Sequence, residues 1–116
     1  ISGTTKGAFP FPLYGLWPCG YDRRFTHHVA NENVQSIYWH ADVGGLSELV
    51  VPLIDYYCNN MKKYRENALK LYGCKGIFVG TYTTPVNHNV AWFLPIILHF
   101  IGVAGWLSQH FYKYYL

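Results

Sequence analysis

The sequence predicts an all-α fold, because its apolar residues have helical spacing and glycines follow the spaced segments. The clearest pattern starts at Leu46, where apolar residues recur three or four apart as far as Leu71 and the opposite face is polar. This spacing predicts an amphipathic helix of about seven turns. Ser47 is its candidate N-cap and Gly73 its C-terminal stop, while Pro52 either kinks the first turns or marks the true start.

Shorter elements are predicted on both sides of this helix. A helix is expected from Asn31 or Asn33 to Val43, where the glycine pair 44–45 ends it. Glycines and prolines punctuate residues 1–30 and 73–90, so both segments are predicted to be loops.

The C-terminal part is more apolar than the rest of the chain. The stretch from Ala91 to Leu107 has His99 as its one strongly polar residue. A membrane span needs about 20 apolar residues, and this run is shorter and contains Pro95 and two glycines. We therefore expect a buried helix pair with a glycine turn rather than a span. A final helix is predicted from Gly105 to Leu116, with an apolar face of Trp106, Leu107, His110, Phe111 and Tyr114.

The composition is that of a folded domain and argues against a nucleic-acid-binding protein. The chain has 116 residues, enough for one modest core; 19% are aromatic and 13% are charged. Its net charge of +3 comes from scattered Lys and Arg residues that form no basic stripe. Such sparse charge indicates a surface covered by other protein or by a membrane.

Because the chain opens with Ile1 and ends at Leu116 in mid-pattern, we expect residues 1–116 to be an internal piece of one larger domain. Residues 1–30 would form a loop-rich lead-in, and residues 31–116 would be helical.

No motif for a metal or cofactor is present. The six histidines include neither HExxH nor another helical i, i+4 pair. The three cysteines are an odd count without CxxC spacing, which supports neither a disulfide framework nor a zinc site. Nucleotide-binding and α/β-hydrolase proteins are excluded in the same way, since GxGxxG, P-loop and GxSxG patterns are missing. We expect no metal and no cofactor.

The carboxylates do not form an obvious catalytic pair. A glycosidase needs two carboxyl groups roughly 5–10 Å apart. Glu32 and Asp42 stand ten residues apart, or roughly 15 Å along one predicted helix. They cannot form that pair without help from another group.

Two asparagines at a helix start allow two interpretations. Asn31 and Asn33 could cap the helix, which composition alone favours. Their amides could also converge on water or on sugar hydroxyls, because an amide offers both donors and acceptors. Trp17 and Trp39 are close enough in sequence to supply an apolar platform for a sugar ring.

Five sequence blocks carry a resemblance to a known family. Residues 13–17 (LYGLW) resemble N-L-Q-G-L-W, and residues 31–39 (NENVQSIYW) resemble N-x-N-x-Q/E-x-N-Y-W. Residues 40–48 are similar to P-A-E-x-x-x-L-S-E, residues 71–76 to Y-G-A-x-G, and residues 105–110 to G-A-W-L-x-x-H. In this order and spacing, the blocks resemble family-95 glycoside hydrolases, the inverting α-L-fucosidases.

The resemblance implies a fold and a reaction. The fold would be an (α/α)6 barrel, of which this chain supplies about a third. The parent enzyme would hydrolyse terminal α-L-fucosyl linkages of oligosaccharides or glycans. Asn31 and Asn33 match the asparagine pair that holds the attacking water with the help of an aspartate base. That base and a glutamate acid are expected beyond Leu116, because an amide cannot accept the proton. The chain alone is expected to be inactive.

Residues near the matched asparagines are expected to complete the site. Trp17, His28, Gln35 and Trp39 are predicted from proximity to line the sugar pocket. The partners implied are a fucosylated substrate and the rest of the parent catalytic domain, without nucleic acid or membrane, and the resemblance is consistent with a secreted or periplasmic protein.

Four departures from the family pattern lie close to this site. His40 stands in place of the family's proline, Asp42 holds the acidic position, Ile37 replaces the third asparagine, and Pro12-Leu13-Tyr14 stands where the family has N-L-Q. They bear on whether the sugar is L-fucose or a relative such as L-galactose.

Three other interpretations stay open at this point. The first is a non-catalytic carbohydrate-binding relative that has lost its acid or base. The second is a small membrane-associated helical protein anchored by residues 91–107. The third is a helical domain whose asparagines only cap a helix.

Overall fold

The computed structural model describes residues 5, 7–13, 15, 28–83, 95 and 99–116, and these residues form a mostly helical structure. Helices hold 59% of them and strands 5%, which confirms the all-α class. In chain order the elements are β1 (His28–Val29), α1 (Asn33–Val43), a 3-10 turn (Ser47–Val50), α2 (Val51–Asn59), α3 (Met61–Tyr72), β2 (Tyr82–Thr83) and α4 (Val103–Tyr115).

Helix α1 begins and ends where the sequence predicts. It runs from Asn33 to Val43. Gly45 follows with a φ of 67°, a conformation that glycine adopts without steric cost. The backbone N–H of Leu46 then donates to the carbonyl of Ala41 at 2.8 Å, which is the long hydrogen bond of a Schellman stop.

The long helix predicted from Leu46 to Leu71 is divided at Asn60, so that prediction was wrong in its continuity. In an uninterrupted helix the backbone N–H of Asn60 would bind the carbonyl of Tyr56. The side-chain Nδ2 of Asn60 donates to that carbonyl instead, at 2.7 Å. The backbone N–H of Asn60 shifts to Tyr57, at 3.2 Å. A side chain that competes for a helical carbonyl thus separates α2 from α3.

Of the predicted start and stop signals in this region, Pro52 and Gly73 are confirmed and Ser47 is not. Ser47 does not cap a helix but is the first residue of the 3-10 turn, and the residue before it, Leu46, makes no side-chain capping bond. Pro52 lies at the start of α2, which confirms that it marks a helix start. Gly73 ends α3 with a φ of 63°, as predicted for a C-terminal stop.

Strands β1 and β2 pair across segments predicted to be loops. They are antiparallel, with His28 opposite Thr83 and Val29 opposite Tyr82. Each strand has two residues, which is too short for alternating polarity to identify in a sequence. This strand pair fixes the position of the backbone shortly before α1 begins.

Helix α4 confirms the final predicted helix and starts two residues earlier, at Val103. On its predicted apolar face, Leu107 and His110 are buried. Residues 91–94 and 96–98 lie outside the described residues, so the helix pair expected in residues 91–107 stays a prediction. Among the described helices, none combines the length and the apolar character that crossing a membrane requires.

The core lies between the four helices and the strand pair. Its centre is aromatic, since four tyrosines are buried in it together with aliphatic side chains. The members are Ala30, Val34, Tyr38, Val50, Leu53, Ile54, Tyr56, Tyr57, Tyr64, Val79, Val103 and Leu107. Ala30 and Val34 belong to this core, so the start of α1 is held against it.

Candidate functional site

The two predicted site asparagines lie where the chain leaves β1 and enters α1. Asn31 belongs to the turn and Asn33 is the first residue of α1; both are half-buried, and Glu32 between them is exposed. The backbone N–H of Ser36 donates to the carbonyl of Glu32 at 2.9 Å, which closes the first helical turn. Both amides therefore stand at a helix N-terminus, where the first backbone N–H groups have no partner within the helix.

The side-chain oxygen of Asn31 does not cap this helix. A capping oxygen accepts a hydrogen bond from a backbone N–H of the first turn. Asn31 Oδ1 is buried, and no described protein group donates to it. Leaving such an oxygen unpaired costs about 1–3 kcal/mol, so it is a natural acceptor for a hydroxyl group or a water molecule.

Ala30, which precedes Asn31, is held from two directions. Its backbone N–H donates to the carbonyl of Thr81 at 2.8 Å, next to the strand pair. Its carbonyl accepts a hydrogen bond from Gln35 Nε2, also at 2.8 Å. Ala30 and Gln35 are buried. The turn that carries Asn31 is thus fixed to the residue before β2 on one side and to α1 on the other.

His28 connects the lead-in segment to α2. Its Nδ1 lies 3.2 Å from the carbonyl oxygen of Phe11, and its Nε2 lies 2.7 Å from the hydroxyl of Tyr57. A carbonyl only accepts, so Nδ1 carries the hydrogen. When the ring is neutral, Nε2 then accepts from the hydroxyl of Tyr57. The backbone N–H of Phe11 donates in turn to the hydroxyl of Tyr38 at 3.3 Å. His28 is therefore a buried side chain that anchors residues near Phe11.

The tyrosines around His28 sit in an apolar environment. Burial raises the pKa of Tyr57 well above its ordinary value, and neighbouring tyrosines, first Tyr64, raise it further. Burial also raises the pKa of Tyr56, while its hydrogen bond to Thr83 lowers it in part. The phenols stay neutral at physiological pH and act as hydrogen-bond partners rather than as bases.

Trp39 faces α4 rather than the asparagines. It follows Asn33 by six residues, which places it about 9 Å along the axis and about 240° around the helix. The ammonium of Lys113 lies 3.6 Å from the centre of its ring, and the ring of His110 meets it edge to face. One face of the Trp39 indole is thus covered by a cation from α4.

An apolar groove of about 240 Å³ lies between α2, α3 and α4. Its walls are Tyr57, Met61, Tyr64, Ile77, Val79, Ala104, Leu107, Ser108 and Phe111. The hydroxyl of Ser108 donates to the carbonyl of Gly105 at 2.6 Å and is engaged within the helix. A groove so poor in polar groups suits an apolar side chain better than a sugar.

None of the carboxylates whose side chains the structure describes is buried. Glu32 and Glu48 are exposed. Glu66 pairs with Lys63 and Lys70 along α3, at 3.5 Å and 3.9 Å. The side chain of Asp42 lies outside what the structure describes. Within the described ranges, no group of three or more His, Cys, Asp or Glu residues could hold a metal ion.

The structure gathers only some of the predicted site residues. Asn31 and Gln35 meet around the Ala30 backbone, and His28 lies two residues upstream in β1. Trp39 faces another direction, and Trp17 lies outside the described residues. Two contributors were not predicted as site residues: Thr81 is remote in sequence, and Tyr57 was recognised only as part of an apolar helix face.

Comparison with known proteins found one matching family and a curated relative. The family model described as "Glycosyl hydrolase family 95 catalytic domain" matches residues 1–116. A curated relative, "Probable alpha-fucosidase A" from Aspergillus niger (strain ATCC MYA-4892 / CBS 513.88 / FGSC A1513), is 28% identical over 118 residues. The alignment covers 99% of this chain and 15% of that protein, so the chain spans less than a sixth of its relative. The comparison with solved structures gave no match.

Proposed function

Because the chain belongs to the catalytic-domain family of glycosyl hydrolase family 95, we propose that its parent protein releases L-fucose from α-L-fucosyl linkages with inversion, and that Asn31 and Asn33 orient the attacking water. One observation carries the proposal: Asn31 Oδ1 is buried at a helix N-terminus without a donor from the described protein groups. The relative named as a probable α-fucosidase supports the choice of sugar.

The proposed chemistry divides the work between amides and carboxylates. An amide oxygen can accept a hydrogen bond from water and so aim its lone pair, but it cannot take the proton away. A carboxylate base must do that, and a carboxylic acid must protonate the leaving oxygen. We propose that both groups come from other parts of the parent, which would complete an (α/α)6 barrel.

The remaining predicted residues receive different roles in this proposal. His28 and Gln35 are buried at 3% and 0% exposure, so we assign them to the floor beneath the site. Trp39 can offer a sugar only the part of its indole that Lys113 does not cover. Trp17 keeps its proposed place as an aromatic wall, on the basis of sequence proximity.

Ile37 favours L-fucose over L-galactose as the sugar. It lies four residues after Asn33, on the same face of α1, and is 41% exposed. An apolar side chain near the site suits the methyl group of L-fucose better than the hydroxymethyl group of L-galactose. Such a preference is modest, about 100-fold at most for one added hydroxyl group against an apolar wall.

The decisive experiment is a double substitution in the full-length parent. Asn31→Ala with Asn33→Ala should lower turnover of 2′-fucosyllactose by about 100- to 10,000-fold, because the water loses its orientation. Released L-fucose is measured over time, and NMR of the first product should show the β-anomer expected of inversion. Asn59→Ala, an exposed asparagine at the end of α2, is the matched control.

The outcomes separate the proposal from its alternatives. An unchanged melting temperature with lost turnover supports the catalytic role of the asparagines. Full activity in the double variant would contradict it. If the unsubstituted parent binds L-fucose in calorimetry but never releases it from the oligosaccharide, the protein is a non-catalytic sugar-binding relative.

A further inference from the structure

Gln35 is a buried amide that contacts the backbone just ahead of the proposed water-holding residue. Its side chain is 0% exposed, so it presents no surface to a bound sugar. Its Nε2 donates to the carbonyl of Ala30 at 2.8 Å, five residues earlier in the chain. The hydrogen bond that the structure shows for this side chain therefore connects Gln35 to the turn that carries Asn31.

The hydrogen bond to Ala30 constrains Asn31 through the peptide plane. The carbonyl of Ala30 and the N–H of Asn31 belong to one planar peptide unit, which does not rotate freely. Holding the carbonyl oxygen therefore holds the direction of the Asn31 N–H and the position of its Cα. Because Gln35 belongs to the first turn of α1, the anchor itself is rigid.

The preceding peptide is held as well. The N–H of Ala30 belongs to the peptide shared with Val29, and it donates to Thr81 at 2.8 Å. Both peptide units that flank Ala30 are thus fixed, one by the chain next to β2 and the other by Gln35. Of these two contacts, only the one from Gln35 uses a side chain, so it is the one that substitution can remove.

We propose that Gln35 is a positioning residue that sets the Asn31 amide by holding the Ala30 carbonyl from within α1. This inference rests on the proposed function and adds to it a residue that does not touch the substrate. Its loss should reduce kcat, because a water misplaced by about 1 Å can cost on the order of 100-fold in rate. It should change KM little, since no sugar contact is removed.

Two substitutions at this position separate positioning from simple packing. Gln35→Met keeps the length of the side chain and removes the donor. Gln35→Glu keeps the shape, but its carboxylate cannot donate to the Ala30 carbonyl, whereas the protonated acid carries one O–H donor. Burial disfavours the charged form and raises the pKa of a carboxyl group at this position. The activity of Gln35→Glu relative to the unsubstituted parent should therefore rise as the pH falls.

The experiment uses the full-length parent with 2′-fucosyllactose as substrate. We expect kcat of Gln35→Met to fall about 100-fold with KM within about threefold. For Gln35→Glu, we expect the ratio of its kcat to that of the parent to increase at least tenfold between pH 7.5 and pH 5. Gln109→Met and Gln109→Glu replace an exposed glutamine on α4 and should match the parent at every pH.

A readout independent of activity accompanies the kinetics. Hydrogen exchange, followed by mass spectrometry of peptides that span residues 28–34, should become faster in Gln35→Met and should not change in Gln109→Met. Gln35→Glu should show faster exchange at pH 7.5 than at pH 5 after correction for the intrinsic rate. The exchange rate of these peptides shows how firmly the turn is held, even if one variant is unstable.

The results distinguish failure of this inference from failure of the proposed function. If Asn31→Ala with Asn33→Ala abolishes turnover while Gln35→Met keeps kcat within threefold, the inference is overturned and the function stands. A loss in Gln35→Glu that does not change with pH also overturns it, since packing alone would then explain the loss. If the double asparagine variant stays active, the proposed function itself fails.

Discussion

At the scale of single residues, His28 joins three parts of the chain through its two ring nitrogens. One nitrogen donates to the backbone of Phe11 in the lead-in segment, and the other accepts from Tyr57 in α2. His28 itself pairs with Thr83 in β2. The contact with Tyr57 is buried and the contact with Phe11 is partly buried, and an unmade hydrogen bond is costly in such surroundings. His28 therefore helps to fix β1, and through it the turn of Asn31.

Replacing Tyr57 with Phe should destabilise the parent protein by about 1–3 kcal/mol. The substitution removes the hydroxyl that donates to His28 Nε2 at 2.7 Å and leaves the ring in place. Urea unfolding of the parent, followed by tyrosine and tryptophan fluorescence, measures the change. Tyr112→Phe is the control, because Tyr112 is 67% exposed and should shift stability by less than about 0.5 kcal/mol. Equal effects of the two substitutions would argue against a stabilising role for the buried bond.

At the scale of elements, glycines decide where helices end. Gly73 has a φ of 63° and closes α3, and any side chain at that position would be strained. Gly105 lies inside α4 instead, where its conformation is helical and where an added Cβ would meet no described atom within 4 Å. The two positions have opposite requirements, although both are exposed glycines.

Alanine at these two glycines should therefore shift stability in opposite directions. Gly73→Ala should destabilise the parent by about 1–2 kcal/mol, because a Cβ is disfavoured in the left-handed conformation. Gly105→Ala should stabilise it by about 0.5–1 kcal/mol, because alanine is the better helix former. Thermal unfolding of both variants beside the parent tests the pair. A gain in melting temperature for Gly73→Ala would show that the stop at α3 does not need glycine.

The elements also show a cation–π contact and a ring contact between α1 and α4. Trp39 of α1 is covered by Lys113 and touched by His110, both on α4. A cation over an indole face contributes about 0.5–1 kcal/mol at an exposed site. This contact joins α1, which begins at Asn33, to α4.

At the scale of the whole molecule, several large apolar side chains are exposed, which fits our proposal that this chain packs against other parts of a parent protein. Val43, Leu69 and Ile101 are 83%, 63% and 75% exposed. The apolar groove between α2, α3 and α4 adds further uncovered surface. The chain spans 15% of the length of its curated relative, and a parent of similar length would have ample sequence to cover these faces.

Residues 1–116 expressed alone should be inactive and prone to aggregate. The uncovered apolar side chains favour self-association, and none of the carboxylates whose side chains the structure describes is buried beside the asparagines. Size-exclusion chromatography, binding of a hydrophobic dye and an assay for released fucose test these expectations. A monodisperse product that unfolds cooperatively would contradict the need for the rest of the parent domain.

Several features were predictable from the sequence because their causes are local. The start of α1 at Asn33 and the stops at Gly45 and Gly73 depend on neighbouring residues and on the φ angles that glycine allows. The apolar spacing predicted where α2, α3 and α4 lie. The order of the motifs predicted the family, which the match over residues 1–116 confirms.

Other features depended on the competition of a side chain with the backbone. In the sequence, Asn60 is an ordinary polar residue on a helix face. In the structure its side-chain amide donates to the carbonyl of Tyr56, and α2 ends there. The same composition is compatible with a continuous helix. Which alternative forms depends on the packing of α2 and α3 against the core, and not on the spacing of apolar residues.

The sequence by itself determined the helical class, the helix stops, the family and the location of Asn31 and Asn33 at a helix start. Each of these follows from neighbouring residues or from a motif. Only the tertiary structure decided that residues 28–29 pair with 82–83, that His28 binds Tyr57, and that Trp39 faces Lys113. These contacts join residues far apart in the chain. Helix packing and the joint burial of polar groups determine which residues become partners. A local sequence pattern does not contain that information.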